Sequence, residues 1–218
     1  MPVRAALIGL ACLAALESGA ARAAMLIEAS NEGRPVRLVV DRTADRVLLS
    51  AGSSRALVDL AGGVIYVQGQ DGVVRRAHAR FRQGHEEPPA YRIEPFGPGP
   101  ILAGQLSHYH VLFAGEQVCA ELMLNGWMLP FLQPAVHAFA LLEQIKRPAG
   151  DDPCAAIPFA TYAAAGWPLM AGKIDHPTFA TTKVRFDYEP APGELSPPER
   201  FEEVELDELA DLPLLERF

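Results

Sequence analysis

Apolar residues in this 218-residue chain come in short runs separated by turn residues. Met25-Leu26-Ile27 opens the series and Asn31-Glu32-Gly33 turns it. Val36 to Asp41 (VRLVVD), Arg46 to Ser50 (RVLLS), Arg55 to Leu60 (RALVDL) and Val64 to Gln68 (VIYVQ) follow, with Gly62-Gly63 breaking the chain before the last of them. Gln70-Asp71-Gly72 is a turn of the Asp-Gly kind, and Val73 to Phe81 pairs back. Strand-length apolar runs recurring about every ten residues, with Gly and Asp between them, predict an antiparallel meander whose sequential neighbours pair. Gln83 to Pro100 is looser. Tyr91 to Glu94 reads as a short strand there, and the Pro and Gly content argues against a central position.

Gly104 to Gly126 (GQLSHYHVLFAGEQVCAELMLNG) predicts a hairpin with two registers. A two-residue turn at Ala114-Gly115 or Gly115-Glu116 puts Tyr109, Val111 and Phe113 on one face with Val118, Ala120, Leu122 and Leu124. That is the cleaner apolar face and the favoured register. A three-residue loop swaps the second arm and brings Cys119 to the side of Tyr109 and Phe113.

The period then changes from strand to helix. Pro134 fits the first turn of a helix running to about Lys146, with Ala138, Leu141, Leu142 and Ile145 as a stripe widened by Val136, Phe139 and Ala140. Pro148 and Gly150 stop it. Asp152 reads as the N-cap of a second helix, Cys154 to Ala165, broken or kinked at Pro158. Trp167 to Ile174 and Thr178 to Tyr188 predict two more strands. Pro190 to Pro198 is a Pro-rich linker. Glu199 to Phe218 is acidic with interspersed apolar residues, either a last element docking at the sheet edge or a tail. No fixed-period repeat occurs. Many strands, two helices, then further strands predict an antiparallel α+β architecture.

Composition adds compartment. Half of the residues are hydrophobic, which excludes global disorder. Residues 1–23 carry Arg4, an apolar run from Ala5 to Leu16 too short to span a bilayer, and Ala21-Arg22-Ala23 at signal-peptidase spacing. They read as a signal peptide, with cleavage after Ala23 and export to the periplasm as a soluble chain. The formal charge of −8 disfavours nucleic acid. Cys12 leaves with the signal, so Cys119 and Cys154 remain as an even pair in an oxidising compartment and are expected to bridge. The loop so closed is worth about 4 kcal/mol in the chain-entropy account.

Catalytic patterns are missing. There is no Gly-x-Ser-x-Gly elbow, phosphate loop, His-Glu-x-x-His or dinucleotide-binding glycine pattern, and the expectation is a protein that is not an enzyme and uses no cofactor. His108 and His110, two apart on a strand, share a face and form the sharpest metal candidate, for copper or zinc, with Met123, Met128 or His137 as further ligands. His85, Glu86 and Glu87 read as a solvated loop. The aromatic, apolar set Tyr109, Phe113, Trp127, Met128, Phe131, Phe139 and Leu142 either fills a core or lines a cavity.

The rhythm GRPVRLVVDRTADRVLLSAGSSRALVDLAGGVIYV, then GEQVCAELML, an apolar helix, AAAGWPLMAGK and the late strand TFATTKVRFDY resemble an exported bacterial family of unknown function with a lipoprotein-carrier-like (LolA-like) fold. The resemblance implies a curved antiparallel sheet, a half-open β-barrel, with two helices covering the concave face over residues 24–190. Residues 191–218 stand outside it as linker and acidic segment. It further implies an apolar groove for a lipid, acyl chain or apolar partner segment, for which the seven residues above are the candidate lining. The alternatives are a periplasmic metal binder using His108 and His110, and a structural or interaction module whose acidic segment docks to an envelope protein.

Overall fold

The computed structural model describes residues 24–79, 91–145, 152–155 and 157–211. The proposed signal peptide and the His85–Glu87 cluster lie outside them. The first meander comprises β1 (Ala24–Asn31), β2 (Arg34–Asp41), β3 (Arg46–Ala51), β4 (Ser54–Asp59), β5 (Val64–Gln68) and β6 (Val74–His78). The second part comprises β7 (Tyr91–Pro98), β8 (His108–Ala114), β9 (Gln117–Asn125), a 3-10 turn (Leu129–Phe131), α1 (Gln133–Glu143), α2 (Phe159–Ala163), β10 (Trp167–Lys173) and β11 (His176–Tyr188). A two-residue strand, β12 (Glu202–Glu203), and a 3-10 turn (Leu206–Asp211) follow.

All the described strands join one sheet in the order β12-β6-β5-β4-β3-β2-β1-β11-β10-β9-β8-β7. Every pairing is antiparallel except β12 with β6. The sheet ends at β12 and β7 and does not close into a barrel. β7 carries Pro95 and Pro98 and sits at the edge, where a strand with missing N–H donors is tolerated.

Alternation sorts the side chains of the first meander into two layers. Met25, Ile27, Leu38, Val40, Val47, Leu49, Val58, Ile65 and Val67 bury one face in a core shared with α1, whose Ala135, Ala138, Leu141 and Leu142 are fully or almost fully enclosed. Two alanines at the contact let the helix lie close to the sheet. On the other face Leu26, Val39, Leu48 and Leu57 form a second layer, closed by Leu195 with Tyr66 and Tyr188.

That second layer is covered by the segment after β11. Glu194 pairs with Arg37, accepts a hydrogen bond from the Tyr188 hydroxyl (2.8 Å) and accepts another from the Ala191 N–H (2.9 Å). The chain then passes Phe201, which lies beneath the Arg76 guanidinium (4.8 Å) and edge-on to Tyr66 (5.8 Å). β12 pairs with β6, and Leu209 ends fully buried in the layer that holds α1. The segment therefore straps the sheet from one face, around the β6 edge, to the other. Of the two sequence alternatives, docking at the sheet edge is the one observed through residue 211.

Three expectations need correction. The second helix is shorter than expected: Pro158 precedes a five-residue α2, and Asp152 caps a turn instead, accepting from the Cys154 N–H at 3.0 Å. The first helix ends at Glu143, and residues 146–150 lie outside the described set. The hairpin does turn in two residues, Gly115-Glu116, with Ala114 opposite Gln117 and Phe113 opposite Val118. A bulge at Cys119 then shifts the register, so Leu112 faces Ala120, His110 faces Leu122 and His108 faces Leu124. One extra residue reverses which side chains share a face. Tyr109 and Phe113 consequently do not share the face of Leu122 and Leu124.

Candidate functional site

The apolar face of β8, β9 and β10 (Leu112, Leu122, Leu124 and Ala171) packs against Ile157, Tyr162 and Ala165 in and around α2. The Cys119–Cys154 disulfide is present, joining the β9 bulge to the turn that precedes α2. α1 lies over β2 and β3, and α2 over β10. The Phe159 N–H at the start of α2 donates to Glu143 Oε1 at the end of α1 (2.5 Å).

An aromatic wall forms where the two helices meet the sheet. Phe139 of α1 stacks on Phe159 of α2 with ring centroids 4.4 Å apart. Trp167, first residue of β10, meets Phe159 edge-on at 5.2 Å and Phe139 at 6.3 Å. Gly166 sets this position. Its φ is +155°, and a Cβ there would stand 3.0 Å from the backbone of Asn125, so the helix-to-strand turn lies flat against β9 only because the residue is glycine. Trp167 is 2% exposed, and its indole N–H finds no acceptor among the described residues. A buried donor without a partner costs about 1–3 kcal/mol. Beside the wall, burial pushes the Tyr162 hydroxyl up to about 12, and the nearby Glu143 carboxylate adds to the shift. Tyr162 is therefore a neutral donor across the physiological range.

The seven residues expected to line a groove fall into three places. Phe139 belongs to the wall, and Met128 and Leu142 are buried in the α1 core. Trp127 and Phe131 make a separate cluster with Phe186, with ring centroids 5.1 to 5.8 Å apart and the Arg42 guanidinium 5.2 Å from the Phe131 ring. Tyr109 and Phe113 lie on the opposite face of β8. Tyr109 contacts Phe96 (5.7 Å) and donates to Glu121 Oε1 (2.9 Å), and Phe113 lies beneath Arg92. Sequence reasoning missed Phe159, Tyr162, Trp167 and Phe186. The Gly166-Trp167 step after an aromatic helix was the available signal for the first three.

His110 Nδ1 lies 3.0 Å from the His108 carbonyl oxygen, on a strand second from the sheet edge. Among the described residues no group of three or more His, Cys, Asp or Glu side chains is arranged to hold a metal ion. A separate cavity of about 390 Å³ opens between the β2–β3 turn and the strap, lined by Asp41, Arg46, Glu189 and Leu195. The Asp41 carboxylate there is already occupied by the Thr43 and Ala44 N–H groups (2.9 and 3.1 Å). Among the described residues no helix is long and apolar enough to cross a membrane.

No family model and no curated protein matches this chain. Two solved structures of PNGF-II are similar in part. The P21 form shows 11% identity and a TM-score of 0.42 over 84% of this chain. The C2 form shows 12% identity and a TM-score of 0.43 over 89%. This chain spans about a third of the length of each.

Proposed function

We propose that this is an exported, non-enzymatic binding protein of the periplasm. It takes an apolar ligand, a lipid or an acyl chain, between its two helices and the inner side of a half-open, barrel-like sheet. The topology supports the curvature. β6 and β7 are consecutive in sequence but ten strand intervals apart in the sheet. In a flat sheet that separation is about 48 Å. The connection from His78 to Tyr91 reaches at most about 45 Å when fully extended. A sheet that curls back on itself, with α1 and α2 on its concave side, relieves the conflict.

The observation that carries the ligand reading is the Trp167 indole N–H. It is enclosed in an aromatic wall and lacks an acceptor among the described residues. A chain with one carbonyl or carboxylate at its head would satisfy the donor and lay its tail along Phe139 and Phe159. The test is titration of the delipidated protein with a fluorescent fatty acid, together with mass spectrometry of the protein as purified from the periplasm. Saturable binding is expected, weakened about fivefold by Trp167→Phe, the worth of one hydrogen bond. A folded, delipidated protein with no saturable binding overturns the proposal.

A further inference from the structure

Residues 153–172 hold no Asp, Glu, Lys or Arg, and neither do two further stretches, residues 95–115 and residues 122–142. The fold brings these last two together at one end of the sheet through a single side chain. Asn125, 6% exposed, donates from Nδ2 to the Leu106 carbonyl oxygen (2.7 Å) and accepts from the Met128 N–H at Oδ1 (2.9 Å). Residues 99–107 form an ordered turn. The Gly99 N–H donates to the Ser107 carbonyl (2.8 Å), Ser107 Oγ donates to the Pro100 carbonyl (2.6 Å), and Leu102 and Gln105 exchange both backbone bonds. Leu102 faces the core, whereas Ile101 and Leu106 face outward at 68% and 71% exposure. Trp127, two residues beyond Asn125, is 61% exposed. A turn this fully hydrogen-bonded holds its apolar side chains in water by construction.

We infer that this end of the molecule docks on a zwitterionic lipid bilayer, with Ile101, Leu106 and Trp127 entering the interface. Four features select that partner. The side chains protrude from two neighbouring turns rather than line a groove, which suits a deformable phase. Together they expose on the order of 400 Å², about half of what one partner of a stable protein dimer buries. The two stretches carry no cation and the protein as a whole is acidic, so attraction to anionic lipid is not the driving force. Trp127 has the amphipathic ring favoured at headgroup depth, and Arg42, stacked on Phe131 at the margin of the patch, can meet a phosphate. This docking stands whether or not the protein also encloses an acyl chain.

The experiment is flotation of the full-length mature protein with phosphatidylcholine vesicles, read alongside tryptophan emission. Binding should persist at high salt, and brominated phosphatidylcholine should quench Trp127 while leaving buried Trp167 unquenched. Trp127→Phe should remove the quenching. Ile101→Asp and Leu106→Asp should each lower the floated fraction at least about fivefold with an unchanged melting temperature, because both sites are exposed. Val118→Asp, at a 57% exposed site outside the two stretches, should float as the parent does. Four outcomes overturn the inference: no flotation with phosphatidylcholine, flotation that requires anionic lipid and vanishes with salt, equal loss in Val118→Asp, or a dimer in sedimentation that Leu106→Asp converts to monomer.

Discussion

The sector β2–β4 and the sector β8–β9 solve the same problem differently. In β2–β4 both faces are buried: Val40, Leu49 and Val58 lie in the core that holds α1, and Val39, Leu48 and Leu57 lie under the strap. Their sequences are accordingly continuous apolar runs, as in strands enclosed on both sides. In β8–β9 one face is buried by Leu112, Leu122 and Leu124, and the other carries Tyr109 bonded to Glu121. There the helix cover is a five-residue α2 held by a covalent link. One sector is stabilised by enclosed area, and the other needs a crosslink because its covering element is too short to be stable alone.

The contrast can be broken from either side. Replacing both Cys119 and Cys154 by Ser should cost about 4 kcal/mol, and hydrogen exchange should place the loss in β8, β9 and α2, leaving β2–β4 protected. Loss spread evenly over the sheet would contradict the division into sectors. Leu49→Ala, at a fully buried position beneath α1, should cost about 3 kcal/mol in denaturant melts and open the whole molecule rather than one sector. Leu195→Ala should cost about 2 kcal/mol, with exposure of Leu48 and Leu57 read by dye binding.

The smallest effect concerns Glu194. Burial alone would raise its carboxyl, but hydrogen bonds from Arg37, Tyr188 and the Ala191 N–H hold it below the usual carboxylate range. A carboxyl lowered in the folded state stabilises fully above its unfolded value, near pH 4.5. That contribution disappears as pH falls through the lower, folded value. Glu194→Gln should therefore melt below the parent at pH 7 by the equivalent of about 0.5–1 kcal/mol, and the gap should close toward pH 3. A gap that widens on acidification would refute the strap linkage.

The strands were legible because each is a local pattern. Val64 to Gln68 is a strand at the residues where its apolar run and flanking turns place it, and β2 to β4 differ from expectation only at their ends. Pro158 was legible as a break but not as the true start of α2, since the turn before it is held by Asp152 and by the disulfide. The candidate lining was half legible. Phe139, Met128 and Leu142 follow from the helix period and its lead-in, whereas the place of Tyr109 and Phe113 depends on a hairpin register that the Cys119 bulge reverses. A bulge has no reliable sequence mark when the extra residue is not glycine. The sequence marks Trp167 as the start of a strand, but its meeting with Phe139 and Phe159 requires the placement of both helices.

The meander, the helical insertion before the last two long strands and the cysteine pair follow from the residues alone. These rest on periodicity, turn chemistry and counting, which act over a few residues or on the chain as a whole. The acidic segment becomes a strap only through long-range packing. Its anchor joins Arg37 to Glu194 across 157 residues, and Leu195 and Leu209 are ordinary leucines until opposite faces of one sheet receive them. The same holds for the charge-free end, where Asn125 brings together two stretches that are unremarkable apart. Contacts of that range depend on how the sheet is ordered, and that order is a property of the packed chain.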